Sequence, residues 1–166
     1  MIRLPALLLA CAALGGCGLR PLYGGGESSS VVQLLRSVAV EPIPSRAGWL
    51  VRSALVDRLG ELESGPAAYR LEVELDDDLT GFGIRGDSAV TRERRTLRAR
   101  YRLVDAGTGR VLLDATAGSD AGVDVVGSEY ATLAAEQTAL ERLSQIVADQ
   151  IVARLGLYAS RRSLQP

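Results

Sequence analysis

The chain has 166 residues, 19 of them basic and 20 acidic, for a net charge of −1, and 47% are hydrophobic. Near-neutral charge argues against a nucleic-acid surface, and the residues beyond the N-terminal segment suffice for one compact core but not for two ordinary domains. Every basic residue is arginine, and with no histidine there is no Ser-His-Asp or Cys-His pair and no histidine-based zinc site, so no enzyme, metal site or cofactor is expected.

Met1-Ile2-Arg3 places one positive charge ahead of a mostly apolar run from Leu4 to Leu14. This is the build of a secretory signal peptide, and it is shorter than the ~20 apolar residues a membrane span needs. Leu14-Gly15-Gly16-Cys17 forms a lipobox, where processing joins a diacylglycerol to the thiol. Leu8-Leu9-Ala10-Cys11 leaves only about seven apolar residues ahead of it, the bottom of the usual range, so Cys17 is the favoured lipidation site. Cleavage before Cys17 removes Cys11 with the signal peptide (1–16), leaving no thiol for redox or metal chemistry. Several acyl chains on one terminal cysteine make a stable membrane anchor. Gly18 lacks the acidic residue that in some bacteria retains a lipoprotein at the inner membrane, so the outer membrane is expected.

Residues 17–34 form the lipidated N-terminus and a flexible spacer, with Gly24-Gly25-Gly26 and Ser28-Ser29-Ser30 unable to bury enough apolar surface to order themselves. A globular domain over 35–158 follows. Val38 and Val40 alternate with Ser37 and Glu41 in a short strand stopped by Pro42. Ser45 caps a helix whose stripe is Leu50, Val51, Ala54, Leu55 and Leu59, closed by Gly60 and a Ser64-Gly65-Pro66 breaker. Tyr69, Leu71, Val73 and Leu75 alternate with Arg70, Glu72, Glu74 and Asp76 in a strand with one wet face. The run Asp76-Asp77-Asp78 reads as a solvated strand end rather than a Ca²⁺ site, because consecutive strand residues point to alternating faces.

Gly81, Gly83 and Gly86 mark a mobile loop, since their phosphate-cradle spacing precedes a strand and not a helix. Leu97, Ala99, Tyr101 and Leu103 then alternate with arginines, and Asp105 to Gly109 makes a hairpin turn. Val111, Leu113, Ala115 and Ala117 form the inward set of a fourth strand. From Ser128 to about Leu157 the period returns to 3.6, with Leu133, Leu140, Leu143, Val147, Ile151 and Leu155 on one side of a helix roughly 45 Å long. Residues 159–166 are read as a disordered tail.

The order β-α-β-β-β-α implies an α+β two-layer sandwich, a four-stranded mixed sheet covered on one face by two helices. The uncovered face carries Arg70, Glu72, Glu74 and Asp76 on one strand and Arg92, Arg94, Arg98, Arg100 and Arg102 on its neighbour. Two readings of it stand open. Either these are cross-strand ion pairs on a solvated surface, or guanidinium groups remain after the acids of residues 72–78 are used. Arg94, Arg98, Arg100 and Arg102 would then contact lipid phosphate or a polar protein wall.

Cys17-Gly18-Leu19-Arg20-Pro21-Leu22-Tyr23-Gly24 resembles the mature N-terminus of the alphaproteobacterial LPS-assembly lipoprotein family, LptE. Ser128-Glu129-Tyr130-Ala131-Thr132-Leu133-Ala134-Ala135-Glu136 resembles the start of that family's last helix, and the order of elements agrees over nearly the whole mature chain. The resemblance implies a periplasm-facing outer-membrane lipoprotein seated in the lumen of the large β-barrel LptD, aiding barrel assembly and lipopolysaccharide delivery. Its partners would be LptD, lipopolysaccharide and the membrane, with no nucleic acid. Two further readings are an auxiliary lipoprotein of an ABC-type lipid transport system and a structural envelope lipoprotein without lipid cargo.

Overall fold

The computed structural model describes residues 30–60, 62, 66–84 and 90–163. The signal peptide, Cys17 and most of the expected spacer lie outside these residues. The elements are α1 (Ser30–Arg36), β1 (Val38–Val40), α2 (Ser45–Leu59), β2 (Tyr69–Ile84), β3 (Val90–Asp105), β4 (Val111–Asp124) and α3 (Glu129–Ser163). The strands form one sheet in the order β1-β2-β3-β4. β1 is parallel to β2, from Val38↔Tyr69 to Val40↔Leu71, while β2–β3 and β3–β4 are antiparallel. The fold is therefore α+β with a mixed open sheet, and among the described residues its helices number three rather than two.

The additional helix lies partly in the stretch read as spacer. Val31 and Leu35, four residues apart, are both buried, so the apolar pair within Val31-Val32-Gln33-Leu34-Leu35 decides against the serines before it. α2 follows its expected stripe and buries Ala47, Val51, Ala54, Leu55 and Leu59. The N-cap position falls on Pro44, one residue before the expected Ser45; Ser45 opens the helix with a φ of 78° and its Oγ still accepts the Gly48 N–H at 3.2 Å. A Cβ on Gly48 would stand 2.5 Å from the Ile43 carbonyl oxygen, so only glycine lets the first turn pack this closely on the approaching chain. α2 supplies the crossover that a parallel β1–β2 pair requires.

The core gathers Leu71 and Val73 of β2, Leu97, Ala99, Tyr101 and Leu103 of β3, and Leu140, Leu143, Val147, Ile151 and Leu155 of α3. Each fully buried leucine or isoleucine contributes about 1.5–3 kcal/mol. The Asp105 carboxylate closes the β3–β4 turn by accepting the N–H groups of Gly107 and Thr108 and the Thr108 hydroxyl. Gly109 takes a φ of 72° there and donates to the Asp105 carbonyl at 2.9 Å.

Several expectations are corrected. β2 continues to Ile84 and β3 starts at Val90, so Gly81 and Gly83 are strand residues rather than loop, and Asp76–Asp78 lie mid-strand. Gly86 is outside the described residues. Cross-strand pairing carries the hairpin past the last apolar alternation, ending at Ile84↔Val90.

Val111 is 48% exposed rather than inward. Leu103↔Leu113 is followed by Val104↔Val111, two residues on β4 against one on β3, and this bulge breaks the alternation there. Leu133 is 57% exposed, because burial on α3 begins only at Ala139; opposite its first turns the sheet presents Arg95, which donates to the Glu136 carbonyl, rather than apolar side chains. At its other end α3 continues through Ser163 because Ala159 is still buried. The helix thus runs five residues into the stretch read as tail.

Candidate functional site

Period-two geometry sorts β2, β3 and β4 into a face under the helices and a face without any. The register assembles the second face strand by strand. Glu72, Glu74, Asp76 and Thr80 on β2 stand opposite Arg102, Arg100, Arg98 and Arg94 on β3. Those four arginines stand opposite Asp114, Thr116, Gly118 and Gly122 on β4, and Arg92 opposite Asp124. The four candidate arginines therefore share one face, and Arg94 to Arg102 form a row of roughly 27 Å at about 3.3 Å per residue.

The row is neutralised from both sides. Arg102 pairs with Glu72 at 2.9 Å on β2. On β4, Arg100 makes a two-armed contact with Asp114 at 2.9 and 3.3 Å, Arg94 reaches Asp120 at 3.8 Å and Arg92 reaches Asp124 at 3.1 Å. Asp114 holds the Arg100 guanidinium above its ordinary range, chiefly through the hydrogen bond, and Arg100 in turn pulls the Asp114 carboxyl down.

Sequence reasoning weighed the acids of residues 72–78 and the three within residues 85–110 but missed those of β4. The signal was present: Asp114, Asp120 and Asp124 occupy the even positions of β4, the parity opposite to Leu113, Ala115 and Ala117.

Arg98 differs from its neighbours. Among the described residues it has no ion pair. Its side chain lies across Gly118: a Cβ there would be 3.2 Å from Arg98 Cγ and 3.4 Å from its Nη1. Arg98 borders a depression of 540 Å³ with Glu74, Asp76, Arg100, Thr116 and Gly118. Behind it, the Gln150 carboxamide of α3 accepts the Gly118 N–H at 3.0 Å and donates to the Gly118 carbonyl at 3.3 Å, which covers that part of the free β4 edge.

On the helix-covered face charge is handled differently. Arg95 grips Asp77 with two hydrogen bonds of 2.8 and 2.7 Å and donates to the Glu136 carbonyl of α3 at 3.2 Å. Glu93 stands beyond it, its Oε2 buried without a hydrogen-bond partner. Desolvation first, and then the Glu136 carboxylate, push the Glu93 carboxyl above its ordinary range. Among the described residues no cluster of three or more histidine, cysteine, aspartate or glutamate side chains is suited to a metal ion. No described helix is long and apolar enough to cross a membrane.

Several bacterial lipoproteins share this fold. A lipoprotein from Caulobacter crescentus CB15 superimposes with a TM-score of 0.66 at 26% identity, covering 78% of this chain and 96% of that one. The minor lipoprotein of Acinetobacter baumannii shares the fold at a TM-score of 0.57 and 15% identity, over 75% of this chain and 91% of that one. A curated protein of Rickettsia prowazekii (strain Madrid E) is 27% identical over 158 residues, 94% of this chain and 97% of its own. Residues 35–155 match the LptE family, described as Lipopolysaccharide-assembly, and the chain belongs to that family. It is thus a lipoprotein of the lipopolysaccharide-assembly type.

Proposed function

We propose that this chain is an outer-membrane lipoprotein, acylated at Cys17 and facing the periplasm, that seats its uncovered sheet face in the lumen of the LptD β-barrel. There it assists barrel assembly and the delivery of lipopolysaccharide to the outer leaflet. The observation that carries this reading is the uncovered face itself, with arginines and carboxylates interleaved over three strands. Such a face suits the polar interior of a large barrel, where alternating charges meet alternating charges.

Arg98 is the candidate contact for a lipid A or core phosphate, because binding there breaks no existing ion pair. Arg94, Arg100 and Arg102 would have to exchange their carboxylate for the phosphate or meet the barrel wall as pairs. Membership of the family supports a role as a binding and assembly protein rather than an enzyme.

Co-purification of the tagged mature protein from outer membranes tests the partner: a large barrel is expected with it, and its absence would sink the plug. The double substitution Arg98→Gln with Arg100→Gln tests the cargo. Weaker binding of purified lipopolysaccharide with an intact fold supports direct contact; normal binding with lost barrel association assigns the row to the barrel. Acylation is checked by intact mass, and Cys17→Ser should leave the precursor uncleaved.

A further inference from the structure

α2 buries Ala47, Val51, Ala54, Leu55 and Leu59 against the fold, and its opposite side is not an ordinary solvated helix face. Trp49, the chain's only tryptophan, is 67% exposed there. Trp49, Arg52 and Val56 are spaced i, i+3 and i+7 and so lie along one line, with Arg46 a turn before. Arg46 and Arg52 are exposed, and among the described residues neither has an ion pair. Asp57 is the acid on this side of the helix. Beside the line runs a groove of 200 Å³ between α2 and β1, floored by Val38, Val40 and Leu59, with Arg52, Val56 and Leu62 also lining it. Val56 and Leu62 are themselves substantially exposed.

An indole with an apolar ring and one N–H, set among guanidinium groups and aliphatic side chains, is the chemistry of a membrane–water interface. Its place in the fold agrees. α2 ends at Gly60 beside the Arg36 side chain at the end of α1, the first described element, which begins at Ser30. Residues 17–29 span at most about 45 Å, so acylation at Cys17 would keep this end of the fold within that distance of the bilayer. The far end of β2 stands roughly 50 Å away along the strand.

We propose that the outer face of α2, through Trp49, Arg46, Arg52, Val56 and Leu62, seats on the anionic phospholipid surface of the membrane that holds the lipid anchor. The indole lies at headgroup depth and the two guanidinium groups meet lipid phosphates. α2 packs on the opposite side of the sheet from the arginine row, so the two surfaces are distinct. The proposal takes its orientation from acylation at Cys17, but its test does not depend on it.

The mature chain carrying Cys17→Ser, which no acyl chain can hold, is mixed with vesicles of phosphatidylglycerol and phosphatidylethanolamine and, separately, with phosphatidylcholine vesicles. Because Trp49 is the sole tryptophan, its emission reads this face alone. The expected result is a blue shift, with quenching by brominated acyl chains, on the anionic vesicles only. Arg46→Gln with Arg52→Gln should lower partitioning about thirty-fold, from about 1 kcal/mol for each arginine near an anionic surface. Trp49→Ala should weaken co-sedimentation with unchanged circular dichroism, while Arg142→Gln, at an exposed arginine of α3, should leave it as it was. Unshifted emission on anionic vesicles overturns the proposal. So does equal loss from Arg142→Gln, which would mean attraction by overall charge, and so does a shift that requires added purified barrel, which would assign the face to a protein.

Discussion

The two faces of β3 are built from one alternating sequence and end in opposite physics. Its odd positions Leu97, Ala99, Tyr101 and Leu103 are at most 2% exposed, while Arg92, Arg94, Arg98 and Arg100 at even positions stand in solvent. Closer to the distal end the rule weakens, because Arg95 and Glu93 occupy odd positions and bring charge beneath the helix side. The burial that stabilises the domain therefore lies on one face and the exposed charge on the other, and Arg95 and Glu93 are where charge crosses to the covered side.

The largest effect should come from emptying the buried face. Leu143→Ala, Leu140→Ala or Ile151→Ala should each lower unfolding free energy by about 2–5 kcal/mol, read by urea denaturation with an unchanged slope. Unchanged stability would mean that the α3 stripe meets a partner rather than the sheet.

Removing the charge that the covered face tolerates comes next. Arg95→Gln leaves Asp77 partly buried without its two-armed partner and should cost about 1.5–3 kcal/mol. A loss under half a kcal/mol would put this pair on a par with the exposed ones.

Glu93 sets a pH dependence of known sign. Its carboxyl is raised by burial and by Glu136, so the folded state holds its proton more tightly than the unfolded chain does. The stabilisation is complete below the ordinary glutamate range and is lost as pH rises through the elevated folded value. Glu93→Gln should make the protein more stable at neutral pH and flatten its stability profile above the ordinary glutamate range. A variant profile that still falls there as pH rises would place the titration elsewhere.

The smallest stability effects belong to the open face. Breaking the exposed Arg100–Asp114 pair should change stability little, because both groups are open to solvent and screened, and Arg98→Gln should stay within about 0.5 kcal/mol. A larger loss at Arg98 would make it a structural residue and would remove it as the phosphate candidate.

Much of this was legible before folding. The alternation of Tyr69–Leu75 and Leu97–Leu103, the helix start near Ser45 with its apolar stripe, and the Asp105–Gly109 turn are local signals, read within one element from spacing and turn chemistry. α1 escaped notice because its two buried residues follow a serine run. The distal hairpin escaped because Asp76–Gly83 hold three aspartates, two glycines and a single β-branched residue, Thr80, and there pairing with β3 overrides weak propensity. Leu133 was misplaced because the periodicity of α3 reports which residues share a side, not where along the helix the sheet offers an apolar surface.

The sequence by itself determined the elements and the parity of each strand, because side-chain direction follows from backbone geometry alone. It also determined that arginines would line one face of β3. Only the tertiary structure decided which of them are spent. The acids that neutralise Arg92, Arg94 and Arg100 come from β4, across a turn and a bulge, and a carboxylate meets a guanidinium only when the register brings them within a few ångströms. On β4 that register stations Gly118 opposite Arg98, and although Asp76 faces Arg98 from β2, the two form no ion pair, so this arginine is left unpaired among the described residues. The exposure of Trp49 was decided in the same way, by how α2 turns its apolar stripe toward the core, since the helix buries one side and must present the other.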